Sequence, residues 1–125
     1  MKKGLIILLI TVSTAAFAQH KDVNAAEFKT YVDGKKGALI DLRTPAEISS
    51  KGKIKGALEI DYFSKDAEAN ILKLDKKKTY LIYCAGGGRS GECLELMKKN
   101  GFKHVINLST GYHEWYKKGF EIEKK

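Results

Sequence analysis

Cysteine, proline, histidine and long apolar runs are all scarce in this chain, and each scarcity removes a class of protein. Two cysteines in 125 residues, Cys84 and Cys93, cannot build a disulfide-stapled miniprotein. A single proline, with no low-complexity stretch, internal repeat or linker-like segment, leaves one domain. The three histidines, His20, His104 and His113, show no metal-ligand spacing, so no metal is implied, and no organic cofactor either. The apolar stretch from Gly4 to Val12 falls well short of the ~20 residues that span a bilayer. Yet 43% of residues are hydrophobic, too many for a disordered chain.

That short apolar stretch has a more specific reading. Met1-Lys2-Lys3 is a positive start, Gly4 to Val12 an apolar middle, and Ala16-Phe17-Ala18 puts small residues at the two positions a signal peptidase reads. Residues 1–18 are therefore expected to be a secretory signal peptide. Cleavage after Ala18 leaves residues 19–125 as the domain, with its core about residues 33–123. No cysteine follows the cleavage point, which argues against a lipid anchor, and no stable membrane insertion is expected afterwards. The expected location is outside the cytoplasm, the periplasm in a bacterial envelope. Cleavage removes Lys2 and Lys3 and no acid, so the net charge falls from +8 to +6 on 107 residues. The lysines are scattered over turns and helix ends, and an exported chain meets no cellular nucleic acid, so nucleic-acid binding is not expected. Attraction of small anions is the milder consequence.

Along the mature chain, short apolar runs alternate with helix-like stretches. Asn24 caps a helix to about Val32, stopped by Gly34. Ala38-Leu39-Ile40 reads as a buried strand running into Asp41-Leu42-Arg43. Pro45 is placed as the first residue of a short helix over Ala46 to Ser49. Ala57 to Ile60 reads as a strand, Ser64 to Leu74 as a helix, and Thr79 to Tyr83 as a strand. A glycine loop leads to a helix over Arg89 to Asn100, then a strand over His104 to Leu108, and a last short helix between Gly111 and Gly119. Such alternation predicts an α/β domain, a central mainly parallel sheet with helices on both faces.

In such sheets ligands bind beyond the carboxyl ends of the strands. The most informative end is Cys84-Ala85-Gly86-Gly87-Gly88-Arg89-Ser90, between a strand and a helix. Three consecutive glycines pack poorly, but they let backbone N–H groups converge on one centre, an anion-binding nest. The next helix adds its N-terminal partial charge. A cysteine at the base of that nest is expected as a thiolate, ready for nucleophilic work. The run Gly86 to Gly91 formally fits a dinucleotide fingerprint, but no acid stands near Asn107 to Gly111 to take the ribose. A nucleotide-hydrolase phosphate loop would need Gly-Lys-Ser/Thr where Gly91-Glu92 stands.

These residues resemble the single-domain rhodaneses, a family of sulfurtransferases, over essentially all of the mature chain. Asp41-Leu42-Arg43-Thr44-Pro45-Ala46-Glu47 looks like the family's Asp-Val-Arg-x-x-x-Glu. Gly52-Lys53-Ile54-Lys55-Gly56-Ala57 resembles Gly-His-Ile-x-Gly-Ala. Cys84, four residues, then Arg89-Ser90 matches the active-site loop, and Asn107 through Trp115 to Gly119 resembles the C-terminal Gly-Gly-x-x-x-Trp-x-x-x-Gly. Lys53 stands for a histidine, Thr110 for a glycine, and Ala85 where a charged or hydrogen-bonding residue is common.

The resemblance implies a single rhodanese-like domain and a two-step sulfur transfer. Cys84 would take the outer sulfur of a small anionic donor such as thiosulfate as a persulfide, then yield it to cyanide, a thiol or a protein acceptor. Ala85, Gly86, Gly87, Gly88, Arg89 and Ser90 would line the site. Arg89 is read either as orienting the loop or as meeting the donor's anionic end. Ser90 either caps the helix, bonds within the loop, or is a plain helix residue. Asp41, Arg43 and Glu47 are supporting residues: Asp41 accepts backbone N–H bonds under the loop, and Arg43 pairs with Glu47 at i+4. Cys93 falls on an apolar helix stripe with Leu96 and Met97; the other reading makes it a resolving thiol for an oxidised Cys84. Two other functions share the fold: a non-catalytic or redox-sensing module, and a cysteine-dependent phosphatase or arsenate reductase. The related phosphatases place five residues between cysteine and arginine, against four here.

Overall fold

The computed structural model describes residues 4–8 and 17–125; most of the stretch read as a signal peptide lies outside the described residues. Five strands and five helices alternate: β1 Gln19–Val23, α1 Ala25–Asp33, β2 Ala38–Asp41, α2 Pro45–Lys51, β3 Leu58–Glu59, α3 Ala67–Leu72, β4 Thr79–Tyr83, α4 Gly88–Lys99, β5 His104–Leu108 and α5 Gly111–Lys117. The strands form one sheet in the order β1-β5-β4-β2-β3, every pair parallel. Among the described residues no helix is long and apolar enough to cross a membrane.

Side chains alternate across β4 and β5 and so build two cores. Leu81, Tyr83, Ile106 and Leu108 face Phe28 of α1 and Trp115 of α5. Tyr80, Ile82, Cys84 and Val105 face Ile71 of α3 and Met97 of α4. Helices thus cover both faces, which parallel strands buried on both sides require. Local signals start the helices: the Asn24 side-chain Oδ1 accepts the Glu27 N–H at 2.9 Å, and Thr44 and Glu47 close a capping box with Pro45 behind it. The helix expected from Ser64 begins only at Ala67, after two turns.

The first strand was not expected. Gln19-His20-Lys21-Asp22 carries no apolar alternation; what holds it is backbone pairing to β5 along all five residues. Only Val23 turns fully inward, and Val23, Ala25 and Phe28 extend the core ahead of residue 33. An edge strand needs less apolar character than a central one, and its polar side chains discourage pairing with another chain.

A buried polar knot ties the sheet to its loops. Arg43 grips Asp41 through Nε (3.0 Å) and Nη2 (2.7 Å) and also reaches the Gly52 carbonyl at 2.8 Å. The Tyr83 hydroxyl donates to Asp41 at 2.6 Å and accepts the Ile54 N–H at 3.0 Å. The guanidinium stacks on Tyr112, 3.9 Å from its centroid. This corrects two expectations. Arg43 pairs with Asp41, not Glu47, because α2 starts at Pro45 and the i+4 rule holds only within one helix. The backbone N–H that Asp41 accepts is that of Arg43, at 2.9 Å, not one in the Cys84 loop. Lys53, the departure from the family's histidine, sits nearly buried between Glu59, Glu123 and the Ala57 carbonyl, binding the C-terminal segment to the body.

Removing one partner of a buried pair leaves the other charge without compensation. Arg43→Ala should therefore lose about 3–5 kcal/mol of stability, read from urea unfolding. Arg43→Lys should recover little of it, because a lysine cannot reproduce the bidentate, ring-stacked geometry.

Candidate active site

Cys84 sits at the carboxyl end of β4, and the chain then curls through Ala85-Gly86-Gly87 into α4. Gly87 makes the curl possible. Its φ of +104° is in the left-handed region, and a Cβ there would run into the Ser109 carbonyl. Gly111, at φ +73°, allows the matching approach from α5, where a Cβ would strike the Ala85 carbonyl. The N–H groups of Tyr112 and His113 donate to the carbonyls of Cys84 (2.8 Å) and Ala85 (3.1 Å). Carbonyls are thereby turned toward α5, leaving amides on the side of the sulfur.

The Cys84 sulfur accepts the N–H of Gly87 at 3.1 Å and of Ser90 at 3.4 Å, and it lies at the start of the twelve-residue α4. Burial pushes the Cys84 thiol up, but the Ser90 hydroxyl and the amides of Ser90, Gly87 and Gly86 outweigh it, so its pKa falls below the ordinary value. Ser90 is buried, and its hydroxyl donates to the Gly87 carbonyl at 3.3 Å. It has one proton to give. That long bond is the weaker use, since an anionic sulfur is the better acceptor. Cys93 lies in the same core cluster without such donors, and burial, reinforced by the nearby Cys84 charge, pushes its thiol up to about 12. It is a core residue and a poor nucleophile at neutral pH.

Arg89 orients rather than reaches out. Its terminal nitrogens clasp the Glu47 carboxylate at 2.7 and 2.9 Å, and Phe63 lies against it, 4.7 Å from guanidinium carbon to ring centroid. Glu47 also accepts the Thr44 N–H and hydroxyl, each at 3.1 Å. The Arg89 guanidinium, aided by Thr44, holds the Glu47 carboxyl down at about 2. One carboxylate thus caps α2 and fastens α2 to the loop. Thr44 was legible as half of a capping box; Phe63, on the connection after β3, carried no sequence signal. Among the described residues no cluster of three metal-binding side chains is present.

The fold is a parallel sheet with a cysteine at the end of its middle strand and four residues between that cysteine and an anchored arginine. A sequence model described as the rhodanese-like domain matches residues 24–118. The chain belongs to the rhodanese family. A sulfurtransferase of Allochromatium vinosum is 32% identical over 84 residues, 67% of this chain and 76% of that protein. The probable adenylyltransferase/sulfurtransferase MoeZ of Mycobacterium tuberculosis is 34% identical over 104 residues, 82% of this chain; the chain spans only 26% of MoeZ. A crystal structure of a rhodanese-like domain protein from Staphylococcus aureus superposes with a TM-score of 0.68 at 30% identity, covering 83% of this chain and 99% of that one.

If amides and the Ser90 hydroxyl hold the thiolate, the ultraviolet absorbance that disappears in Cys84→Ser should titrate with a midpoint below the ordinary thiol value of about 8.5. Ser90→Ala should raise that midpoint by about one pH unit, the worth of one hydrogen bond to a charged group.

Proposed function

We propose that this rhodanese is a sulfurtransferase that carries sulfane sulfur as a persulfide on Cys84. The observation that carries the reading is a buried sulfur facing converging amides, its pKa lowered despite its burial. The Cys84 thiolate attacks the outer sulfur of thiosulfate, the donor's S–S bond breaks, and sulfite leaves with the electron pair. The persulfide's negative charge then falls among the donors that held the thiolate, which is oxyanion-hole logic applied to sulfur. A nucleophilic acceptor attacks the outer sulfur and Cys84 departs as thiolate. Electrons balance in both steps without an outside oxidant or reductant, and no general base is needed because the nucleophile is already ionised.

Arg89 supports this reading over phosphoryl transfer. A phosphatase needs its arginine open to the phosphate oxygens, whereas both terminal nitrogens of Arg89 are committed to Glu47. We further propose that the protein acts after export, with residues 1–18 removed; β1 starts at Gln19, so cleavage after Ala18 leaves every strand of the sheet whole.

Purified reduced protein should form thiocyanate from thiosulfate and cyanide, and Cys84→Ser should abolish it. Intact mass after thiosulfate alone should rise by one sulfur atom in the wild type and in Cys93→Ser, but not in Cys84→Ser. An unmodified wild-type mass and no thiocyanate would reject thiosulfate as donor. For export, the protein recovered from the periplasmic fraction should begin at Gln19; an intact Met1 there, or retention in the cytoplasm, would overturn it.

A further inference from the structure

Lysine is spread along the sequence, but the fold gathers much of it at one end. In a parallel sheet every helix-to-strand connection lies beyond the amino ends of the strands. Lys35 and Lys36 stand in the connection before β2, Lys76, Lys77 and Lys78 in the one before β4, and Lys103 in the one before β5. Those strands are neighbours in the order β5-β4-β2, so the three connections lie side by side across ~10 Å, two interstrand spacings. Their backbones touch: the Lys103 N–H donates to the Lys76 carbonyl at 3.1 Å, and a Cβ on Gly37 would come within 2.8 Å of the Thr79 carbonyl oxygen. The strands also start level, Thr79 beside His104 and Ala38 beside Tyr80, so the turns before them end at nearly one height.

All six lysines are exposed, and among the described residues none of them is in an ion pair. Of the acids close by in sequence, Asp33 is taken by Lys29, and Asp75 accepts the Lys77 N–H at 2.9 Å. Lys98 and Lys99 close α4, where cations complement the helix dipole; lysines in turns have no such role. Charges this close lie within about one Debye length, ~8 Å at physiological salt, and act together on a partner.

The make-up of this end narrows the partner. Among the described residues none of the large exposed hydrophobic side chains stands in these three connections, so there is nothing to insert and nothing to stack on a base. The chain's two arginines are both bound to carboxylates elsewhere, Arg43 to Asp41 and Arg89 to Glu47, so no guanidinium fork is presented. A level array of hydrated ammonium groups matches a plane of phosphate charges.

We propose that this end docks the protein, without insertion, on a bilayer surface rich in anionic phospholipid headgroups. The docking is separate from the chemistry at Cys84. That residue lies past the other end of β4, six positions beyond Lys78, ~20 Å away at the rise of a strand. The docked protein therefore holds its cysteine loop away from the bilayer and open to solutes.

Co-sedimentation with vesicles of phosphatidylglycerol and phosphatidylcholine measures the partition coefficient. The wild type should bind these vesicles at low salt, leave them at high salt, and ignore vesicles of phosphatidylcholine alone. Lys77→Gln with Lys103→Gln should lower the partition coefficient about twenty-five-fold, roughly fivefold for each charge removed. Lys51→Gln with Lys65→Gln removes the same charge from exposed positions outside the three connections, and should lower it less than about threefold. Equal losses in the two double variants would make net charge the cause and overturn the docking surface. Binding that survives high salt or extends to uncharged vesicles would overturn it too, since an apolar segment would then be the anchor. Tighter binding to duplex DNA than to the vesicles, weakened by Lys77→Gln with Lys103→Gln, would make the partner a nucleic acid and overturn the bilayer.

Discussion

The buried pair of Asp41 and Arg43 is the constraint on which the rest of the site depends. Both residues are almost wholly removed from water, a loss of hydration worth several kcal/mol per ion that must be recovered locally. Recovery is thorough: two charge-assisted contacts between them, a backbone N–H and the Tyr83 hydroxyl on the carboxylate, the Gly52 carbonyl and the Tyr112 face on the guanidinium. Burial alone would lower the Arg43 pKa, but Asp41 reverses that and holds it above its ordinary value. The Tyr83 hydroxyl is buried beside the carboxylate and stays protonated, its pKa driven upward by desolvation and by Asp41. What the pair supplies is orientation. It fixes the end of β4 at Tyr83, one residue before Cys84, and through Tyr112 it fixes the start of α5, whose amides hold the loop carbonyls.

Cys84 and Cys93 make an internal control for the chemistry. They are the same residue type, both free and buried, in one core cluster. Desolvation acts on each in the same direction, against the thiolate. It decides the outcome at Cys93, which lies inside α4 where the amides bond to preceding carbonyls. At Cys84 it is overcome by the Ser90 hydroxyl and by N–H groups of the loop and the first turn of α4, which have no helical partner and point at the sulfur. Position relative to a helix end, rather than burial, separates a thiol whose anion is favoured from one whose anion is opposed.

That distinction was visible in the sequence, because a triple glycine between a strand and a helix has few uses other than an anion nest. The alternation of elements and the Thr44-Pro45 helix start were legible for the same reason: each is a local rule. What escaped the sequence is non-local. β1 is held by main-chain pairing that its polar side chains do not advertise. Arg43 and Glu47 stand four apart and invite pairing, yet the helix begins between them; Arg43 turns back to Asp41 two residues earlier, and Glu47 takes Arg89 from across the fold. Phe63 sits in an irregular connection, and only the packed structure brings it to Arg89.

The loop's glycines are of two kinds, and the difference bears on where selectivity resides. Gly87 and Gly111 are forced, because any side chain would collide with a backbone carbonyl. Gly86 and Gly88 are not forced: a Cβ at either would stand in open space. Arg89, the one charge in the loop, is bound on both terminal nitrogens by Glu47. A loop built this way supplies little discrimination, since apart from the Ser90 hydroxyl it presents only backbone amides to a sulfur. Discrimination then has to come from surfaces that flank the loop without belonging to it. The surface between α2 and α5 that meets the loop at Ala85 is one of these, and the Glu47 bridge that immobilises Arg89 also fastens α2 to the loop.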